Sequence, residues 1–99
     1  MEKGGFLYIL TNNYNTTIYV GITSDLITRM HQHKNKVYPN SFSARYNLQK
    51  LVYWEGFHHM ADAVAREKQI KGGSRKRKIE LIEALNPNWN DLTEEILIW

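Results

Sequence analysis

The chain has 99 residues, of which 42% are hydrophobic and 23% charged, a globular composition of one domain's size. The absence of cysteine excludes a disulfide framework, a cysteine-ligated zinc finger and a thiol nucleophile. The net charge is a mild +3, and no apolar run approaches the ~20 residues of a membrane span.

Met1-Glu2-Lys3-Gly4-Gly5 leads into a short apolar stretch without the n-region of a signal peptide, so the expectation is a soluble cytoplasmic protein with no membrane partner. Phe6-Leu7-Tyr8-Ile9-Leu10 is aromatic and β-branched enough for a strand. Asn12 to Thr16 is turn chemistry, because asparagine tolerates positive φ and bonds its own backbone. Thr17 to Ile22 alternates, with Ile18, Val20 and Ile22 on one face and Tyr19 and Gly21 on the other, so the two runs form a hairpin. Thr23 or Ser24 is placed to cap a helix running to about His33–Lys36, with Leu26, Ile27 and Met30 as its apolar stripe. Residues 41–48 are open between a short helix and a loop. Lys50 to Glu55 reads as a third strand and Met60 to Lys71 as a second helix, stopped at Gly72-Gly73. Ser74 caps a third helix that ends at Leu85, before Asn86-Pro87. The order β-β-α-β-α-α predicts an α+β domain with helices covering a short sheet. No repeat or linker divides the chain. It is expected to form a single domain over 1–99, with the apolar tail 86–99 packed on it.

Charge is unevenly distributed. Arg66, Lys68, Lys71, Arg75, Lys76, Arg77 and Lys78 against Glu67 alone give +6 in 13 residues, which leaves −3 for the rest. Such a patch suits a polyanion or a solvated helix face. Cations crowd the start of the third helix, where they oppose its dipole and where a bound phosphate would relieve them.

Three features stand out. Glu67 falls in the middle of the stripe Met60, Ala63, Val64 and Ile70, where a carboxylate is costly unless paired or metal-bound. An ion pair to Lys71, four residues on, is the plain alternative. Asp25, Arg29 and His33 form one ridge of the first helix, either as an exposed Asp25–Arg29 pair or as an arginine and a histidine aimed at a phosphodiester. Tyr8 and Tyr19 lie on neighbouring strands, either as ordinary aromatic packing or as a pair at a site, and Gly21 leaves a side-chain-free spot on Tyr19's face. His31 with His33 and His58 with His59 have the wrong spacing to chelate one ion, and Lys71 to Lys76 is not a P-loop.

Together Phe6-Leu7-Tyr8, the asparagine-rich loop, Tyr19-Val20-Gly21, Arg29, His33 and Glu67 resemble the GIY-YIG endonuclease domain, with its eleven-residue step from Tyr8 to Tyr19. Lys50 to Tyr53, Arg66 to Lys71 and Asn86 to Leu92 look like the small stand-alone bacterial branch. The chain departs from the pattern at Phe6 and Leu7, where the family has glycine and isoleucine. It departs again at Gly72-Gly73, where the branch commonly has an aromatic residue. The resemblance implies a three-stranded antiparallel sheet flanked by helices, and hydrolysis of nucleic acid, DNA first, in repair or recombination. It implies one divalent ion, Mg2+ or else Mn2+, on Glu67. It also implies Tyr8, Tyr19, Arg29, His33 and Glu67 as catalytic residues, with either tyrosine assisting deprotonation of water. Gly21 and Asn86 would support them. Lys68, Lys71, Arg75, Lys76, Arg77 and Lys78 would contact nucleic acid. The chain is expected to act as a monomer. The competing expectations are a non-catalytic nucleic-acid-binding module on the same fold and a protein-interaction domain using the aromatic tail.

Overall fold

The computed structural model describes residues 4–99, so the leader reading at Met1, Glu2 and Lys3 lies outside the described residues. Its elements are β1 (Gly5–Thr11), β2 (Ile18–Thr23), α1 (Leu26–Lys34), α2 (Phe42–Arg45), β3 (Lys50–Phe57), α3 (Met60–Lys71), α4 (Arg75–Leu85) and α5 (Thr93–Ile96). Three antiparallel strands lie in the order β2-β1-β3, so the most apolar run forms the central strand. Leu7, Tyr8, Ile9 and Leu10 are all fully buried because helices cover both faces of the sheet. One layer joins Leu7, Ile9, Val20, Val52 and Tyr53 to Ile70 of α3 and Ile82 of α4. The other joins Tyr8, Leu10 and Leu51 to Leu26 and Met30 of α1 and Ile96 of α5. Each such aliphatic side chain contributes about 1.5–3 kcal/mol on burial.

Local chemistry sets the ends of the elements. In the hairpin loop Asn12 Oδ1 accepts from the Thr16 and Thr17 amides at 2.9 and 3.1 Å, and Asn15 takes a φ of 57°. The cap of α1 differs from expectation. It is Asp25, whose carboxylate accepts from the Thr28 amide and hydroxyl, because an ionised acceptor suits the helix start better than the hydroxyls of Thr23 and Ser24. Ser74 caps α4 as expected, accepting from Arg77 N at 3.2 Å.

Two short helices, α2 and α5, add to the expected order. The strand β3 carries a register shift: Ile9 faces Tyr53 but Leu10 faces Leu51, which leaves Val52 as the extra residue of a bulge. The tail covers this outer edge. Leu92 N donates to Leu51 O at 2.7 Å, and Asn86 Nδ2 donates to Val52 O at 3.1 Å. Backbone groups that would otherwise invite pairing by another chain are thereby satisfied. No helix of the described residues is long and apolar enough to cross a membrane.

Candidate active site

The strand register sets Tyr8 opposite Gly21 and Leu10 opposite Tyr19, so the two tyrosines are diagonal neighbours with ring centroids 6.3 Å apart. The spot beside Gly21, expected to be open, is filled by the Tyr8 ring. A Cβ at position 21 would lie 2.6 Å from Tyr8 Cζ and Oη, which is why only glycine fits. Tyr8 is sealed from solvent, whereas Tyr19 is half-buried at the sheet edge.

Helix α1 supplies Arg29 and His33, one turn apart and facing the tyrosines. His33 Nε2 is 3.1 Å from Tyr8 Oη, and its Nδ1 is 2.7 Å from Ser43 Oγ of α2. Ser43 is buried and lies 3.3 Å from the Ser41 hydroxyl that caps α2. The result is a chain of polar groups, Tyr8–His33–Ser43–Ser41, built from three elements. Burial, with Arg29 nearby, lowers the His33 pKa to about 4, so the imidazole is neutral at neutral pH. Burial likewise pushes the Tyr8 phenol up. Tyr19 adds to the rise and Arg29 opposes it in part.

Two clefts meet at Tyr19. The first, of about 130 Å3, is lined by Tyr19, Arg29, His33, Lys36, Phe42 and Ser43 among others. The second, of about 310 Å3, runs round the free edge of β2 between Ile18, Tyr19, Val20, Phe42, Lys71 and Lys78. The stacked pair Tyr19–Phe42, centroids 6.0 Å apart, forms the wall between them.

Glu67 comes from the opposite layer of the sandwich. Its side chain is 19% exposed and ion-paired to Lys71 Nζ at 3.4 Å, and Lys71 lines the second cleft. Among the described residues no group of three or more histidines or carboxylates could cage a metal. A lone, hard, half-buried carboxylate does not fit zinc. It does fit Mg2+, which keeps several waters and takes one or two carboxylates plus phosphate oxygens.

The basic residues divide. Lys71 and Lys78 line the cleft beside Tyr19, while Arg66, Arg77 and again Lys78 line a separate groove of about 170 Å3 between α3 and α4. Arg75 donates to Thr16 O at 2.8 Å and Lys78 to Gly73 O at 3.1 Å, while Lys68 and Lys76 lie exposed. Asn86 is not near the tyrosines. Beyond β3, at the other edge of the sheet, its amide bonds Val52 O and the Asn90 backbone, and it holds the bulge. Ser43 and Phe42 were missed by the sequence reading. The signal for them is Ser41, placed to cap Ala44 three residues on.

The model of the GIY-YIG catalytic domain matches residues 4–80, which contain Tyr8, Tyr19, Arg29, His33 and Glu67 but not Asn86. A UPF0213 protein of Pediococcus pentosaceus is 32% identical over 79 residues, covering 80% of this chain and 82% of the relative. A UPF0213 protein of Syntrophus aciditrophicus is 31% identical over 78 residues, covering 79% of this chain and 88% of the relative. No solved structure matches the chain. With the family model spanning most of its length and both relatives matched over more than 80% of theirs, the chain belongs to the GIY-YIG family, a membership that implies a nuclease-type function on nucleic acid.

Proposed function

We propose that the protein is a divalent-metal-dependent endonuclease that hydrolyses phosphodiester bonds of DNA, acting as a monomer in repair or recombination. The observation that carries this reading is the lining of one cleft by Tyr19, Arg29 and His33, with Tyr8 directly behind them. In the reaction a water oxygen bonds to phosphorus, an ester P–O bond breaks, and the proton released by the water is balanced by one taken up at the leaving oxygen. Arg29 binds the non-bridging phosphate oxygens and neutralises their developing charge. Tyr19, the tyrosine open to the cleft, assists deprotonation of the water. Tyr8 is too deeply buried to meet a substrate and acts by holding His33. His33, bonded through both ring nitrogens, takes a proton from Tyr8 at Nε2 as it gives one up from Nδ1 to Ser43, and so stays neutral. Glu67 would hold the ion, and Lys71 would turn from Glu67 to phosphate, together with Lys78 and the exposed cations Lys68, Lys76 and Arg77. Mg2+, or Mn2+ in its place, would supply positive charge at the phosphate and acidify water there.

One observation favours a non-catalytic binding module instead: the Glu67 carboxylate already has an ionic partner in Lys71. The deciding experiment is cleavage of labelled duplex, branched and single-stranded DNA and RNA with Mg2+, Mn2+ or chelator, wild type beside Glu67→Ala. Cutting that requires metal, with at least a 100-fold loss in Glu67→Ala and retained binding, is the expected result. Undiminished cutting by Glu67→Ala overturns the metal assignment. No cutting by the wild type, with binding that weakens steeply in salt, assigns the binding module.

A further inference from the structure

The aromatic wall of the cleft does not stop at Tyr19. Phe42 stacks on it, and Tyr46, one helical turn further on, lies with its ring centroid 4.6 Å from that of Phe42 at an interplanar angle of 39°. The pattern of α2 is inverted for so small a helix. Its small residues Ser43 and Ala44 are buried, while Phe42 and Tyr46 remain 48% and 49% exposed. Tyr38, 60% exposed, lines the same cleft. Core packing therefore does not account for these rings. The shelf is anchored from below, since Ser43, next to Phe42 in the chain, is buried and bonds His33. Cations surround it: Arg29 and Lys36 in the first cleft, Lys71 and Lys78 in the second, and Arg45 exposed on α2 itself.

We propose that Phe42 and Tyr46 form a stacking shelf for an unpaired nucleobase next to the phosphate held at Arg29. The preferred substrate is accordingly a nucleic acid with an unpaired nucleotide at the cut. This rests on the nucleic-acid reading of the same cleft. Exposed rings offer their faces, and a base offers a complementary face only when it has left the duplex stack, where just its edges are accessible. Cations spaced around the rings suit the flanking phosphates, so the two halves of a nucleotide are matched by one surface.

The test is binding in Ca2+ without turnover, so that it reads out even if the protein does not cut. Anisotropy gives the affinity for a single strand and for a blunt duplex of the same sequence. Fluorescence of 2-aminopurine along the strand reports stacking. The wild type is expected to prefer the single strand and to quench 2-aminopurine at one position. Phe42→Leu and Tyr46→Leu keep apolar bulk without an extended π-face. They are expected to weaken single-strand binding about 5- to 100-fold, as loss of one stacked base would, and to weaken duplex binding far less. Phe42→Tyr restores the preference. Equal affinity of the wild type for both forms, or variants that weaken both alike, overturns the shelf. So does a concentration-dependent dimer abolished by Phe42→Leu in sedimentation, which would assign the rings to a second copy of the chain. Loss of nucleic-acid binding altogether would instead refute the reading of the cleft on which the shelf rests.

Discussion

Two tyrosine networks occupy opposite faces of the sheet, and they differ in what they leave open. On the α3 side Tyr53 donates to Glu55, and Arg66 Nε reaches both Glu55 oxygens at 3.1 and 3.2 Å. Arg66 Nη1 then donates to Gln69 Oε1 at 2.7 Å, so the cation, the anion and the phenol are all engaged within the protein. On the α1 side Tyr8 meets a neutral histidine, the histidine meets a serine, and the arginine lines a cleft. A network with its opposite charges matched internally stabilises the fold. A neutral relay beside a cationic cleft leaves charge for a guest, and the guest it selects is an anion such as phosphate.

The sharpest way to break this comparison is to remove each arginine in turn. Arg29→Ala is expected to lower cleavage about 10²–10³-fold, the loss typical of removing a group that stabilises transition-state charge, with the unfolding midpoint in urea nearly unchanged. Arg66→Ala is expected to do the reverse. It removes the guanidinium that bonds both oxygens of the part-buried Glu55 and leaves that carboxylate only the Tyr53 hydroxyl, costing about 1–3 kcal/mol of stability, while kcat is kept. If both variants damage the same property, the division between a structural and a functional network is wrong.

The glycines of the two flanking strands give a second, smaller contrast. An added Cβ at Gly21 would collide with Tyr8 Cζ and Oη at 2.6 Å, whereas at Gly56 it would meet Phe6 Cε1 at an ordinary 3.4 Å. Gly21→Ala must displace a ring that is packed on every side, which costs about 1–3 kcal/mol by overpacking. It also detaches the Tyr8 hydroxyl from His33. Gly56→Ala is expected within about 0.5 kcal/mol of wild type. Urea unfolding of the pair measures both, and equal stabilities would mean that the Tyr8 ring is free to move aside.

The sequence carries most of the sheet and only part of the site, for physical reasons. The strands were legible because their apolar residues alternate or run together, and Gly72-Gly73 and Ser74 marked the break between α3 and α4. Glu67 stood out because a carboxylate on an apolar stripe is costly, and it is indeed half-buried on the inner side of α3. Ser43 was not legible. Its meaning comes from a hydrogen bond across ten residues to His33, and a four-residue helix has too little periodicity to announce itself. Asn86 was legible as punctuation, but its partner is a bulge carbonyl that exists only once β3 slips register against β1. The reading that Gly21 leaves room for a ligand failed for the same kind of reason. Alternation fixes which face a residue shares, but the occupant of that face depends on the register with the next strand.

The gentlest probe of the two networks is pH, because only the α1-side network weakens in acid, through His33, whereas each holds a buried phenol that weakens it in alkali. His33 is held near 4 in the folded protein against an ordinary 6.5, chiefly by burial. Below 6.5 the unfolded chain binds a proton that the folded chain refuses. The stability owed to the neutral imidazole is therefore complete above 6.5 and lost as pH falls toward 4. Tyr53 is held at about 12 against an ordinary 10.0, by burial and by its bond to Glu55. Above 10 the unfolded chain releases a proton that the folded chain retains, so this contribution is complete below 10 and lost as pH rises toward 12. His33→Gln is expected to flatten the acid limb of a stability-against-pH curve and leave the alkaline limb alone. Tyr53→Phe is expected to flatten the alkaline limb only in part, since the buried Tyr8 phenol, whose pKa is also raised, titrates there too. An acid limb as steep in His33→Gln as in the wild type would show that carboxylates such as Asp91, held low by Lys34 and Thr93 against the opposing effect of burial, govern acid unfolding. In that case the Tyr8–His33 contact would have to be solvated rather than sealed.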